Sequence, residues 1–117
     1  YVLADGESIA GTIAICFGEE PTYREIYEGS WQGAGPYAAL HRVAMAENTR
    51  GSGLAAQMLR EAEALCFAKG LLQIRIDTHR HNLPMQKFLL KHGYGRRGVI
   101  YLEDGAERIA FEKIIRK

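Results

Sequence analysis

The stretch "VAMAENTRGSGLAAQML", Val43 to Leu59, decides how the chain is read. Its first residues are apolar and strand-like, its centre is polar, and its end is an Ala/Leu-rich run with helical character. Between turn and helix stand Arg50, Gly51 and Gly53. Glycine costs about 0.5–1 kcal/mol relative to alanine inside a regular element, so two of them at a helix start need a reason. The first four N–H groups of a helix lack internal partners, and the helix dipole adds partial positive charge there. An anion can use both if no side chain blocks it. Gly51 and Gly53 remove two Cβ atoms and Arg50 adds a full charge, which is a phosphate-binding arrangement. The competing reading is a tight turn that needs glycine for its own geometry.

Outward from this junction the pattern is regular. Upstream, "YVLA" and "IAGTIAICF" are apolar, β-branched runs joined by "DGES", an Asp-Gly hairpin signal. Gly18 to Pro36 is a long, aperiodic polar segment, and loops of that length are usually functional or disordered. It carries Trp31, either a plug on the core or a contact for something bound. "YAALHRVAMA", Tyr37 to Ala46, is a strand. The helix after it is expected from about Ser52 to Lys69, with Leu54, Met58, Leu59, Ala62, Leu65 and Cys66 at three- and four-residue spacing and Gly70 as its stop. "LLQIRID" reads as a buried strand. "NLPMQKFLLKHG" reads as a second helix, with Asn82 as N-cap, Pro84 in the first turn and Gly93 at the end. "GVIYLE" and "ERIAFEKII" close the chain as a hairpin turning at Asp104-Gly105. The order ββ-loop-βαβα-ββ predicts an α/β fold: a mixed, mostly antiparallel sheet with one right-handed βαβ crossover and helices packed on it.

The 117 residues suit one domain. An apolar content of 47% with 25% charged residues is ordinary for a soluble globular protein. Fifteen basic residues against fourteen acidic ones leave a net charge of +1, which gives no electrostatic case for nucleic acid or an anionic membrane. No apolar run approaches the ~18 residues a bilayer span needs. Cys16 and Cys66, without repeated spacing, read as buried small hydrophobes in a reducing cytoplasm. The chain begins inside a strand-like pattern without methionine, so an N-terminal portion is expected to precede it.

Three phosphate loops compete at the glycines. A P-loop needs Gly-Lys-Ser/Thr, whereas Gly53 is followed by Leu54-Ala55. The dinucleotide fingerprint G-x-G-x-x-G/A is matched by Gly51, Gly53 and Ala56, with Asp77 at a suitable distance. But "ENTR" separates strand from glycine, and only one βαβ unit is available. The third fits over nearly the whole chain. Arg50, Gly53 and Ala55 fill the Arg/Gln-x-x-Gly-x-Gly/Ala pattern, "NLPMQKFLLKHGY" matches a second conserved segment, and the strand order agrees. On these residues the chain resembles the Gcn5-related N-acetyltransferases, without that family's first strand and the two short helices after it. "HRVAM", "IDTH" and the Trp-containing insertion look most like its bacterial members.

The resemblance implies an acyl-CoA N-acyltransferase fold and acetyl-CoA as co-substrate. The amides of Gly51, Ser52, Gly53, Leu54, Ala55 and Ala56, with Arg50, would hold the diphosphate. The strand carrying Val43, Ala44 and Met45 would splay from its neighbour and pair through its backbone with the pantetheine arm, one N–H facing the thioester carbonyl. Asn82 would bond the pantetheine near the gap. Where the family often places a proton-donating tyrosine, this chain has Leu89 after Phe88. Another group then serves, the thiolate leaves unassisted, or the domain binds acyl-CoA without efficient turnover.

His41 is the candidate base, because it shares strand parity with Val43 and Met45 and histidine titrates near neutrality. Its other reading is a strand histidine satisfied by hydrogen bonds. His79 and His81 read as loop residues at the pocket mouth, and with no third ligand nearby no metal site is expected. Tyr37, Tyr101 and Trp31 are candidates for the acceptor pocket. The expected activity is cytoplasmic transfer of an acetyl group to a primary amine, carried by a small molecule or a peptide, by direct attack. The alternatives are a non-catalytic acyl-CoA sensor and, more weakly, a dinucleotide-binding enzyme. "AERIAFEKII" is a candidate sheet edge for a homodimer.

Overall fold

Alternating and β-branched runs form strands here, and the two stretches of 3.6-residue periodicity form helices. In the computed structural model, residues 2–5, 8–45 and 53–115 are described. The elements are β1 (Val2–Asp5), β2 (Ser8–Cys16), a 3-10 turn (Pro21–Tyr23), β3 (Ala38–Met45), α1 (Leu54–Ala68), β4 (Gln73–Thr78), α2 (Leu83–Lys91), β5 (Gly95–Tyr101) and β6 (Glu107–Ile114). They build a six-stranded sheet in the order β1-β2-β3-β4-β6-β5. β3 and β4 are parallel across the α1 crossover, and every other pair is antiparallel.

The local signals explain the boundaries. Gly53 stands at the N-cap of α1 with φ 86°, a left-handed conformation that glycine adopts without a Cβ penalty. Asn82 caps α2 by accepting from Met85 N at 3.2 Å, and Gly93 follows the helix at φ 91°. The closing hairpin turns at Gly105, φ 86°, where Asp104 Oδ1 accepts from Ala106 N at 2.9 Å. β5 begins three residues before its expected start. Gly95, Arg96 and Arg97 precede the expected strand, but a bulge between Arg96 and Gly98 keeps this stretch in the ladder. A Cβ on Gly98 would lie 2.4 Å from the carbonyl oxygen of Tyr27, so the close approach of the long loop requires glycine there.

Successive strand residues face opposite sides, and the sheet carries a different layer on each. On the helix face, Met58, Leu59, Ala62 and Cys66 of α1 and Leu89 of α2 pack on Ile13, Leu40, Ile74, Ile76, Val99, Ile109 and Phe111. Full burial of one such large side chain contributes roughly 1.5–3 kcal/mol. On the other face, Tyr23, Ala39, Ile100 and Ala110 form a smaller core, with Ile26, Trp31, Tyr37 and Leu102 packed against it. The long segment 18–36 is therefore a structural layer. Trp31 is the plug of the two readings: its Nε1 donates to Tyr23 O at 2.9 Å and Arg75 stacks on its ring at 4.3 Å.

A buried charge cluster pins this layer. Glu112 is fully buried on β6 and accepts from Gln32 N at 2.8 Å, Gly33 N at 3.3 Å, Arg75 Nε at 3.3 Å and Arg97 Nε at 3.0 Å. Arg75 also donates to Gly33 O at 3.1 Å and lies 4.0 Å from the centre of the Tyr37 ring. Its charge is thus sandwiched between two aromatic faces while its donors reach a carboxylate and a carbonyl.

Two expectations are corrected. β6 is no edge: β4 pairs with one side of it and β5 with the other, so "AERIAFEKII" offers no free ladder for a second copy. Cys16 is exposed at the end of β2, while Cys66 is buried on α1 as expected, and both thiols are free.

Burial gives the protein an alkaline limit. Burial and then Glu63 push the Cys66 thiol up to about 11, and the same two causes raise the Tyr94 phenol. Burial and then Asp77 hold Tyr23 well above the ordinary tyrosine value. Each group binds its proton more tightly folded than unfolded. Their stabilisation is complete below the unfolded values of ~8.5 and ~10 and is lost as pH rises past them. The melting temperature is expected to be flat from about pH 7 to 8.5 and to fall steeply above about 9.5, with Tyr94→Phe making the fall shallower. A melting temperature that holds to about pH 11 would contradict this account.

Candidate active site

The sheet opens in its middle. β3 and β4 pair only over Ala38–Leu40 with Ile74–Ile76. Yet β3 remains paired to β2 as far as Met45, and β4 remains paired to β6 as far as Thr78. Beyond Leu40 and Ile76 the two strands therefore diverge, each backed on its outer side and without a strand partner on its inner side. Backbone N–H and C=O groups seek partners wherever they are shielded from water. Beyond Leu40 and Ile76 the inner edges of β3 and β4 carry such groups, with no strand pairing to them among the described residues.

Two clefts meet at the wedge, one on each face of the sheet. The first, about 180 Å³, is lined by Leu40, His41, Ile76, Asp77, Thr78, Asn82 and Met85 and opens toward α2. The second, about 500 Å³, is lined by Glu20, Thr22, His41, Asp77, Leu102, Glu103 and Asp104 and opens toward the long loop and the β5–β6 hairpin. His41 and Asp77 belong to both. They sit on the two strands just where the pairing stops, so a group in either cleft reaches the same pair of side chains.

His41 is partly buried. Its Nε2 lies 3.2 Å from Glu20 Oε2 but out of line for a hydrogen bond, and no other partner of that buried atom is found among the described residues. The alternative of a histidine satisfied by hydrogen bonds is thereby disfavoured at Nε2. Glu20 caps the Pro21–Tyr23 turn, and Thr22 Oγ1 donates to its Oε1 at 3.1 Å. Asp77 is held from below, where the buried Tyr23 hydroxyl donates to Oδ1 at 2.7 Å. Tyr23 also lies in ring contact with Trp31, Tyr37 and His41. Neither Tyr23 nor Glu20 stands out in the sequence, because both lie in an aperiodic loop.

The other expected residues are distributed as follows. The backbone of Val43, Ala44 and Met45 lies in β3 beside the wedge, on the stretch that β4 leaves. Arg50, Gly51 and Ser52 lie outside the described residues. Gly53 is the N-cap of α1, and among the described residues no side chain caps that helix. Leu54, Ala55 and Ala56 form its first turn, whose amides precede the first internal bond, from Gln57 N to Gly53 O at 3.1 Å. Asn82 lines the cleft on the α2 side, its carbonyl oxygen engaged in the helix cap. Leu89 is fully buried in the core, so that position offers no proton to either cleft. Tyr101 is exposed and pairs edge-on with Tyr27 at 5.3 Å. It lines a neighbouring cleft with Pro21, Thr22, Arg24, Glu25 and Tyr27. His79 and His81 are exposed, and their rings stack 5.2 Å apart. Among the described residues, no three of His, Cys, Asp and Glu gather as metal ligands, and no helix is long and apolar enough to cross a membrane.

Comparison with known proteins agrees with this geometry. The profile of the Acetyltransferase (GNAT) family matches residues 1–94. The chain belongs to that family. Among solved structures, a GNAT-family acetyltransferase from Streptococcus agalactiae superposes with a TM-score of 0.86 at 35% identity, over 99% of this chain and 65% of that one. This GNAT chain thus spans a little under two thirds of the length of that relative. The PaiA N-acetyltransferase of Thermoplasma acidophilum, solved with coenzyme A, has the same fold at 19% identity (TM-score 0.69, covering 95% of this chain and 57% of that one). Naa20 of Chaetomium thermophilum, solved with a bisubstrate analogue, does so at 18% identity (TM-score 0.76, covering 97% and 64%). No protein of curated function matches by sequence.

Proposed function

We propose that this GNAT chain transfers an acetyl group from acetyl-CoA to a primary amine by direct attack. The observation that carries the reading is the divergence of β3 from β4 beyond Leu40 and Ile76, with a cleft on each side of the gap. The unpaired inner edge of β3 suits the amide-bearing arm of the coenzyme, entering from the α2 side as an added strand. The uncapped first turn of α1, with Arg50, Gly51 and Ser52 before it, suits the diphosphate. What the coenzyme supplies is an activated acetyl thioester. An N–H among Val43, Ala44 and Met45 would stabilise the negative charge that grows on the thioester oxygen.

The acceptor enters from the acidic cleft, opposite. His41 takes the proton that the amine must lose, with the Glu20 carboxylate at 3.2 Å to stabilise the imidazolium. The amine nitrogen bonds to the acetyl carbon as the carbon–sulfur bond breaks, and the electron pair leaves on the thiolate. The buried Leu89 has no proton for that sulfur, which leaves unassisted or with a proton from elsewhere. The same leucine favours the second reading, an acyl-CoA-binding domain without turnover.

Release of free thiol, followed across a panel of amines in the presence of acetyl-CoA, separates the two. Transfer predicts amine-dependent release, and His41→Ala is expected to cut kcat at least about tenfold while leaving coenzyme affinity unchanged. Tight coenzyme binding with no release against any amine would establish the second reading. Equal rates for His41→Ala would return His41 to a structural role. The dinucleotide alternative has no support from the family the chain belongs to.

A further inference from the structure

Resting on the acetyl-transfer reading, we infer that Asp77 is the anchor of the acceptor, that it receives the amine as an alkylammonium ion, and that Tyr23 is the residue that positions it. Asp77 lies on β4 at the level where the ladder to β3 has ended, and it lines the clefts on both faces of the sheet. Among the described residues, only His41 shares that place. A carboxylate at a junction between two clefts meets whatever passes from one to the other.

Its orientation is set. The Tyr23 hydroxyl donates to Oδ1 at 2.7 Å, from a ring that is fully buried and packed against Trp31, Tyr37 and His41. One carboxylate oxygen is therefore engaged by a fixed donor. A carboxylate has capacity for further donors beyond that one, and the donors of an ammonium ion match it. The charge around Asp77 points the same way. Among the described residues, the ionisable side chains that line the larger cleft are Glu20, His41, Asp77, Glu103 and Asp104, with no lysine or arginine. Glu20 is turned toward His41 and the Thr22 hydroxyl, and Asp104 is engaged by its own turn. Glu103 stands at the mouth, where it adds to the attraction for a cation without fixing its position.

The acceptor class follows. An alkylamine is protonated at neutral pH and gains from an ion pair at the moment of binding. Bound next to His41, it gives one proton to that imidazole and presents the nitrogen lone pair to the thioester; after attack the nitrogen sheds its second proton, which goes to the departing thiolate. An arylamine is neutral at the same pH and gains nothing from the carboxylate. The site is thus expected to favour alkylamines through binding, a preference read in KM more than in kcat.

The test compares one primary alkylamine and one arylamine, with acetyl-CoA saturating, in wild type, Asp77→Asn and Tyr23→Phe. The asparagine keeps an acceptor for Tyr23 and loses only the charge. Asp77→Asn is expected to lower kcat/KM for the alkylamine roughly 10- to 100-fold, the loss of a charged hydrogen bond, and to change the arylamine less than about threefold. Tyr23→Phe is expected to raise KM for the alkylamine a few-fold, with kcat and the arylamine KM held. Equal losses on both amines, or no loss on either, would overturn the assignment. Failure of the underlying reading looks different: wild type itself would then release no thiol with either amine. Thermal melts of both variants guard against misfolding, and adding salt is expected to raise the alkylamine KM alone.

Discussion

Glu112→Ala is expected to destabilise the protein by about 3–5 kcal/mol, because removing one member of a buried ion cluster leaves the others charged and unpartnered. Four donors converge on this carboxylate, and two of them are guanidinium groups. Arg75 is nearly inaccessible to water and, among the described residues, has no second carboxylate at hand. The backbone amides of Gln32 and Gly33 lose their acceptor at the same time, and each such orphan adds its own desolvation penalty. A surface pair supplies the control. Arg24 and Glu19 meet at 2.8 Å with both side chains more than half exposed, so Arg24→Ala should cost less than about 1 kcal/mol. Urea denaturation of the two variants measures the contrast. A Glu112→Ala protein within about 1 kcal/mol of wild type would mean that the cluster does not hold the loop. A partly destabilised variant is also expected to bind acceptor more weakly, since the released loop carries Glu20 and Tyr23.

The second large effect concerns the start of α1. At acetyl-CoA concentrations about 100-fold above Kd, binding to the folded state alone adds about 2.7 kcal/mol, which for a domain of this size raises the melting temperature by on the order of 10 °C. Gly53→Glu is expected to abolish that rise. Two causes must be separated, since any side chain at φ 86° is strained, by roughly 1–2 kcal/mol. Gly53→Ala carries the strain without the charge; nothing lies within 4 Å of the added methyl. The alanine variant should melt lower than wild type and still respond to acetyl-CoA, whereas the glutamate variant should melt lower and not respond. A full response from Gly53→Glu would place the diphosphate elsewhere.

The architecture was readable where one local rule decided the outcome. Asn82, Pro84 and Gly93 bracket α2, Asp104-Gly105 turns the last hairpin, and the periodicity of α1 places Met58, Leu59, Ala62 and Cys66 on the face that is buried. Each of these signals lies within a few residues of what it determines. The loop layer obeys no such rule, because its partners are distant: Gln32 and Gly33 meet Glu112 across about eighty positions of sequence. A trace existed in the sequence, since Arg75 in "QIRID" and Glu112 in "IAFEKI" put opposite charges at the centres of apolar strands. Such residues are seldom buried unless paired.

The candidate site divides in the same way. Strand parity and chemistry make His41 a candidate in the sequence, and it lies at the wedge together with the strand that carries Val43, Ala44 and Met45. In the sequence Asp77 belongs to nothing more than a partial dinucleotide pattern, and Tyr23 belongs to no pattern. Their importance arises from the ending of the β3–β4 ladder, which depends on pairing between strands and leaves no mark in either strand alone. Cys16 was misplaced because an apolar run conveys strand character without showing which of its ends leaves the core.

The short β3–β4 ladder also divides the molecule mechanically. β1-β2-β3 and β4-β6-β5 are two three-stranded ribbons sewn together by three rungs, with α1 as the covalent strap across the seam. Within each ribbon the ladders run longer, from four to six aligned pairs. Amide protons along the seam should thus exchange sooner than those inside either ribbon.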